Sequence, residues 1–151
     1  MLQNILSTLL QWFVPKFRFF TRYDSAALRN AKNDAHDAEF GTSALFNIRT
    51  GVPDNVGGAG TLLAQLTMNA TAAFGASSAG VLTSNAITAD SSANATGTAA
   101  HYELTTSGAT WVESGLCDTG GTDGMTIDNA SITAGQTVQV SGNWTKTAPN
   151  P

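Results

Sequence analysis

This chain of 151 residues has one cysteine, two histidines and only seven basic residues, and each scarcity excludes something. The single thiol, Cys117, rules out an internal disulfide. Together with His36 and His101 it is too little for the common zinc cages, so no metal and no cofactor is expected. A net charge of -4 argues against nucleic acid as a partner, because neutralising phosphates takes a basic surface. Charged residues make up 12% of the chain against a usual level of roughly 25%. Few groups are therefore left for acid–base work at neutral pH, and no enzyme is expected. The place of charge is taken by 33 Ser and Thr, 23 Ala and 15 Gly, a composition that suits close-packed strands and turns and starves long charged helices. The length is that of one ordinary domain, enough to bury a core without staples.

What charge there is divides the chain. Residues 1–50 hold six of the seven basic groups and four acids, while 51–151 hold one basic group and seven acids. Leu2, Ile5, Leu6, Leu9, Leu10 and Phe13 recur at helical spacing opposite Gln3, Asn4, Ser7, Thr8 and Gln11, and Pro15 ends the run. An amphipathic helix of about 13 residues spans only about 20 Å against a bilayer core of about 30 Å, so a membrane span is not expected. Export is not expected either, since Lys16, Arg18 and Arg22 follow the apolar run instead of preceding it. These cations lie among Phe17, Phe19, Phe20 and Tyr23, an aromatic-basic strip that would invite aggregation if it were exposed. It packs either on its own domain or on a partner. In the partner reading, Leu2, Ile5, Leu6, Leu9, Leu10, Trp12 and Phe13 together with Lys16, Phe17, Arg18, Phe19, Phe20, Arg22 and Tyr23 form an anchoring arm over 1–23. Attachment to a membrane surface is a third option.

The segment 24–41 reads as a second helix from about Ala26 to Glu39, capped by Asp24 or Ser25 and ended by Gly41. Its apolar stripe of Leu28, Ala31, Ala35 and Ala38 is thin, so its partner must be close. From Ala44 the period changes to two. Strands are expected at Ala44–Arg49, Leu62–Met68, Val81–Thr88, Ala100–Thr105, Thr110–Glu113, Met125–Asp128 and around Val138–Trp144, parted by Gly-, Asn- and Ser-rich turns. In Ala100–Thr105 the polar His101, Glu103 and Thr105 are expected on the open face. Seven or eight short strands make an all-β fold: an antiparallel β-sandwich of jelly-roll or immunoglobulin-like kind over 42–147, preceded by the helical arm and followed by a loose tail at 148–151.

The motifs weigh towards ordinary readings. Asp118-Thr119-Gly120 is the triplet of aspartic proteases, but it stands alone and too little chain follows for a second barrel half. Asp118, Asp123 and Asp128 have no calcium-loop spacing. His36 and His101 read as surface histidines. Sequons begin at Asn69, Asn94, Asn129 and Asn143, as chance allows in so Asn- and Ser/Thr-rich a chain, and no glycan is assigned. A carbohydrate-binding or cell-surface module would need an aromatic platform, for which Trp111 and Trp144 are the candidates; both are expected in the core.

Several segments resemble small structural proteins of tailed bacteriophages. They are Ala27-Leu28-Arg29-Asn30-Ala31, Gly60-Thr61-Leu62-Leu63-Ala64, Ala86-Ile87-Thr88-Ala89-Asp90, Ala95-Thr96-Gly97-Thr98-Ala99 and Asn129-Ala130-Ser131-Ile132-Thr133-Ala134-Gly135-Gln136-Thr137-Val138. The resemblance covers Asp24 to about Thr147. It implies a β-sandwich virion protein that decorates or cements the capsid, bound to the major capsid protein or to copies of itself, with no catalytic residues to carry over. The place would be the capsid surface, reached from the host cytoplasm during assembly. A head–tail or tail component is the alternative within the particle. Two features depart from the family pattern: residues 1–23 precede its usual start, and its charged strand is here His101–Thr105.

Overall fold

The structure, a computed structural model, describes residues 23–120 and 124–148, and these are mostly β with one short helix. The helix, α1, runs Ala26–Phe40, where sequence places it. Ser25 is the N-cap, its hydroxyl accepting from the Leu28 amide, and Gly41 takes the positive φ that closes the C-terminus.

Nine strands follow among the described residues: β1 (Leu45–Arg49), β2 (Leu62–Thr67), β3 (Val81–Thr83), β4 (Gly97–Thr98), β5 (His101–Thr105), β6 (Trp111–Asp118), β7 (Met125–Thr126), β8 (Ser131–Ile132) and β9 (Thr145–Thr147). Five form a curled sheet in the order β2-β1-β5-β6-β7, antiparallel except for the parallel β6–β7 edge. Two short ladders, β3–β9 and β4–β8, stand beside it.

Register sorts the sheet's residues onto two faces. Phe46 pairs with Leu66 and Leu104, and Ile48 with Ala64 and Tyr102, which collects a largely apolar face. Against it lies Trp144, its ring 5.2 Å from Phe46, 5.4 Å from Phe74 and 5.7 Å from Tyr102. Leu82 of β3 and Ile132 of β8 are buried in the same cluster. In the turns Asn69, Asp90 and Asn129 each hold a nearby backbone amide with their own side chain.

Several strand expectations change length. β6 continues to Asp118 because Gly115 leaves room for the Tyr102 ring, which a Cβ there would meet at 2.7 Å. Val81–Thr88 shrinks to β3 plus isolated bridges at Ser84 and Thr88. Val138–Trp144 is a strand only in bridges at Val138 and Val140, interrupted by the positive φ of Gly142.

The second face of the sheet was expected open, and it is not. All five residues of β5 are buried, His101 and Glu103 included. The cover is the 51–60 loop: the Gly58 amide donates to Glu103 Oε1, and Arg49 Nε lies 2.5 Å from Glu103 Oε2 while its Nη1 donates to the Gly60 carbonyl.

Candidate functional site

Of the proposed arm, Leu2 through Arg22 lie outside the described residues, so the grouping of Leu2, Ile5, Leu6, Leu9, Leu10, Trp12, Phe13, Lys16, Phe17, Arg18, Phe19, Phe20 and Arg22 rests on sequence. Tyr23 is described, and its side chain stands out in solvent at 75% exposure. One residue on, Asp24 is buried and ion-paired with Lys32, which ties the residue before the N-cap to the second turn of α1.

The helix docks the other way round from the expectation. Leu28, Ala31, Ala35 and Ala38, the apolar stripe, are all exposed, and the opposite side carries the buried Asn33 and Phe40. Polar chemistry holds that side down. Asn30 Oδ1 accepts from the Gly80 amide at 2.7 Å, and Asn33 Nδ2, one turn on, donates to the Gly80 carbonyl at 2.9 Å and to Ser77 Oγ at 3.2 Å. Two amides at i and i+3 thus grip both ends of one glycine. Gly80 is required there, since its φ is +81° and a Cβ would lie 2.7 Å from the Arg29 guanidinium. An apolar stripe shows which side of a helix is greasy; the neighbour that takes it is a separate matter, and here a specific hydrogen-bonded clamp fixes the rotation. Asn33→Ala is expected to cost about 1–3 kcal/mol by stranding buried partners. Leu28→Glu on the outer side is expected to move stability by less than about 0.5 kcal/mol. Thermal melting of the two variants checks the helix orientation.

A second clamp sits further along α1. His36 Nε2 lies 2.7 Å from Glu113 Oε2 of β6, and the Lys146 ammonium of β9 reaches the same carboxylate and the same imidazole. Phe40 packs edge-on to the His36 ring at 4.4 Å, and the Tyr102 hydroxyl donates to Glu113 Oε1 at 3.3 Å. Burial would raise the Glu113 pKa, but the hydrogen bonds and charges of His36 and Lys146 outweigh it and hold the carboxyl below its ordinary value. Burial first, then the Glu113 charge and hydrogen bond, push Tyr102 well above the usual phenol range.

Neither histidine is the surface residue expected. His36 belongs to this clamp, and His101 is fully buried on β5 with neither ring nitrogen partnered. Burial, with the Asp118 charge behind it, lifts the Cys117 thiol to about 12, so it stays protonated at neutral pH. Asp118 ends β6 and accepts from the Gly120 amide, an Asx turn. Asp128 accepts from the Gln139 amide; Asp123 lies outside the described residues. Among the described residues no group of three His, Cys, Asp or Glu gathers to hold a metal, and no helix is long and apolar enough to cross a membrane.

Trp144 is core, as expected, but Trp111 is not. It is half-buried on the sheet's second face, with Nε1 donating to Ser114 Oγ at 2.8 Å. The cause is a bulge: register shifts between Leu104 and Thr105, so that Glu113 pairs with Leu104 but Trp111 with Thr105, on the other side. Compared with known protein families, with curated proteins and with solved structures, the chain matches none.

Proposed function

We propose that the protein is a non-enzymatic structural component of a tailed-bacteriophage particle, a capsid decoration or cement protein bound in many copies to the major capsid protein. The observation that carries this reading is the outward apolar stripe of α1, which begins only a few residues after the apolar and aromatic arm of 1–23. Tyr23, the last residue of the arm, and Leu28, the first of the stripe, are both exposed. An apolar surface that no described residue covers, following an apolar segment in the chain, favours assembly with another chain. Ala27, Leu28 and Ala31, from one of the segments that resemble phage structural proteins, are on this exposed side.

The finer architecture belongs to the same proposal. The five-stranded sheet is one layer of a β-sandwich, and the β3–β9 and β4–β8 ladders belong to the other, with Trp144 between them. Low charge and small side chains suit a protein lying flush on a shell, where many weak copies gain strength from repetition. Mass-spectrometric counting of purified particles is the test. On the order of hundreds of copies, in a fixed ratio to capsomers, is expected of a decoration protein. A few copies per particle would move the protein to the tail or the head–tail junction, and its absence from particles would end the reading.

A further inference from the structure

The second face of the five-stranded sheet holds a cleft of about 380 Å³ between β2, β1, β5, the start of β6 and the 51–60 loop. Its volume is at the lower end of the usual range for small-molecule sites. Its charges are already spent. Arg49 and Glu103 are paired with each other, and each is tied further to the loop backbone, so the cleft offers an incoming ligand no net charge.

What remains for a ligand is a row of neutral polar groups. Gln65 and Asn47 are directly cross-strand, the ion-paired Glu103 follows next to Asn47, and Thr105 lies on the same side two residues beyond it. Gln65 Nε2 donates to Asn47 Oδ1 at 2.8 Å, which fixes both amides and leaves Asn47 Nδ2 as a donor and Gln65 Oε1 as an acceptor. Asn47 is only 6% exposed, an amide in the middle of the otherwise apolar run Leu45–Ile48. Thr105 is equally buried, lines the cleft, and its hydroxyl has no partner. An unpartnered buried hydroxyl costs stability, and a ligand group that pairs with it removes that cost.

The β6 side of the cleft, next to Thr105, is aromatic. Trp111 reaches the cleft through the bulge, Gly57 lies so close to its Cδ1 edge that a Cβ would stand at 2.6 Å, and the bond to Ser114 fixes the ring. The exposed Val56 lies at the rim.

The geometry points to this cleft as a binding site for a neutral saccharide unit, seated with its hydroxyls on Asn47, Gln65 and Thr105 and with Trp111 beside its ring. Sugar hydroxyls are each donor and acceptor, so they match a floor that offers one amide donor, one amide acceptor and one hydroxyl. A peptide terminus or a phosphate would need an unspent charge, which the cleft lacks. The assignment stands apart from the assembly reading and holds or fails without it.

The full chain is the material for the test. A neutral glycan array identifies the preferred sugar. Methyl glycosides of glucose, galactose and mannose, N-acetylglucosamine and, as a stacking control, uridine are then titrated while the Trp111 indole resonance is followed by NMR. The preferred sugar is expected to bind with a dissociation constant on the order of 1 mM and to shift that resonance. Thr105→Val, which removes the unpartnered hydroxyl but keeps the shape, is expected to weaken binding roughly tenfold while raising the melting temperature. That pairing of effects is one that a purely structural hydroxyl would not give. Trp111→Ala is expected to abolish binding. No neutral glycan bound at tens of millimolar, uridine bound as well as any sugar, or undiminished binding by Thr105→Val would each overturn the assignment.

Discussion

Deleting residues 1–23 is expected to leave a folded domain that melts cooperatively but no longer joins particles or self-associates. Among the described residues the buried hydrophobic side chains all lie between Phe40 and Ala148, and those from Phe40 to Trp144 pack in one cluster. Ser25 and Asp24 survive the deletion, and with them the cap of α1 and the ion pair to Lys32. The spacing of Leu2, Ile5, Leu6, Leu9 and Leu10 would put them on one side of a helix, more apolar surface than an isolated helix of that length keeps in water. Each such side chain contributes about 1.5–3 kcal/mol when buried. Four or five shared with a neighbour supply several kcal/mol after the cost of ordering the segment, enough to govern assembly. Leu6→Asp or Leu9→Asp is expected to weaken association in the same way but less. Particle binding by sedimentation and melting by calorimetry read the two halves of the expectation. If the truncated chain loses its cooperative transition, the arm is part of the domain's own core and the anchoring role falls.

What could be read in the sequence was local. The ends of α1 follow from Ser25 and Gly41, whose capping chemistry acts within a turn. The positions of β1, β2 and β5 follow from alternation over five or six residues. What could not be read depends on chain brought from elsewhere. Gly80, some fifty residues from Asn30, sets the rotation of α1. The 51–60 loop closes over Glu103, so the side of β5 that looks solvent-facing is buried. β4, β7 and β8 are two residues long, too short to carry a period. Trp111 changes sides because of a bulge, which no count of alternating residues anticipates. One signal for the cleft was present: an asparagine at the centre of Leu45–Arg49 puts a polar amide where a core strand wants an apolar residue. The 1–23 stretch carries an amphipathic pattern, but what such a pattern packs against depends on two surfaces, and only one is written in that stretch.

The Glu113 carboxylate is where the helix, the sheet and β9 meet, so its removal is expected to be among the most damaging single changes to the fold. Its side chain is 18% exposed, and it faces His36 from α1, Lys146 from β9 and the Tyr102 hydroxyl from β5. Glu113→Gln keeps the shape and removes the charge, leaving the partly buried Lys146 ammonium without its counter-ion. Breaking such a pair from one side costs about 3 kcal/mol, less what water recovers at Lys146, which corresponds to a fall in melting temperature of roughly 6–10 °C. The loss should concentrate on α1: its amides exchange faster with solvent and the 41–44 connection is cut more readily by protease, while β1 and β5 keep their protection. Acid should reproduce the effect. Because the folded-state pKa of Glu113 is depressed, its contribution is complete above the ordinary value of 4.5 and is lost as pH falls through the folded-state value. The gap in stability between the native chain and Glu113→Gln is therefore expected to be widest near neutral pH and to close on the acid side of 4.5. An unchanged melting temperature for Glu113→Gln, or a gap that persists undiminished in acid, would mean that Asn30, Asn33 and Phe40 hold the helix without help from the carboxylate.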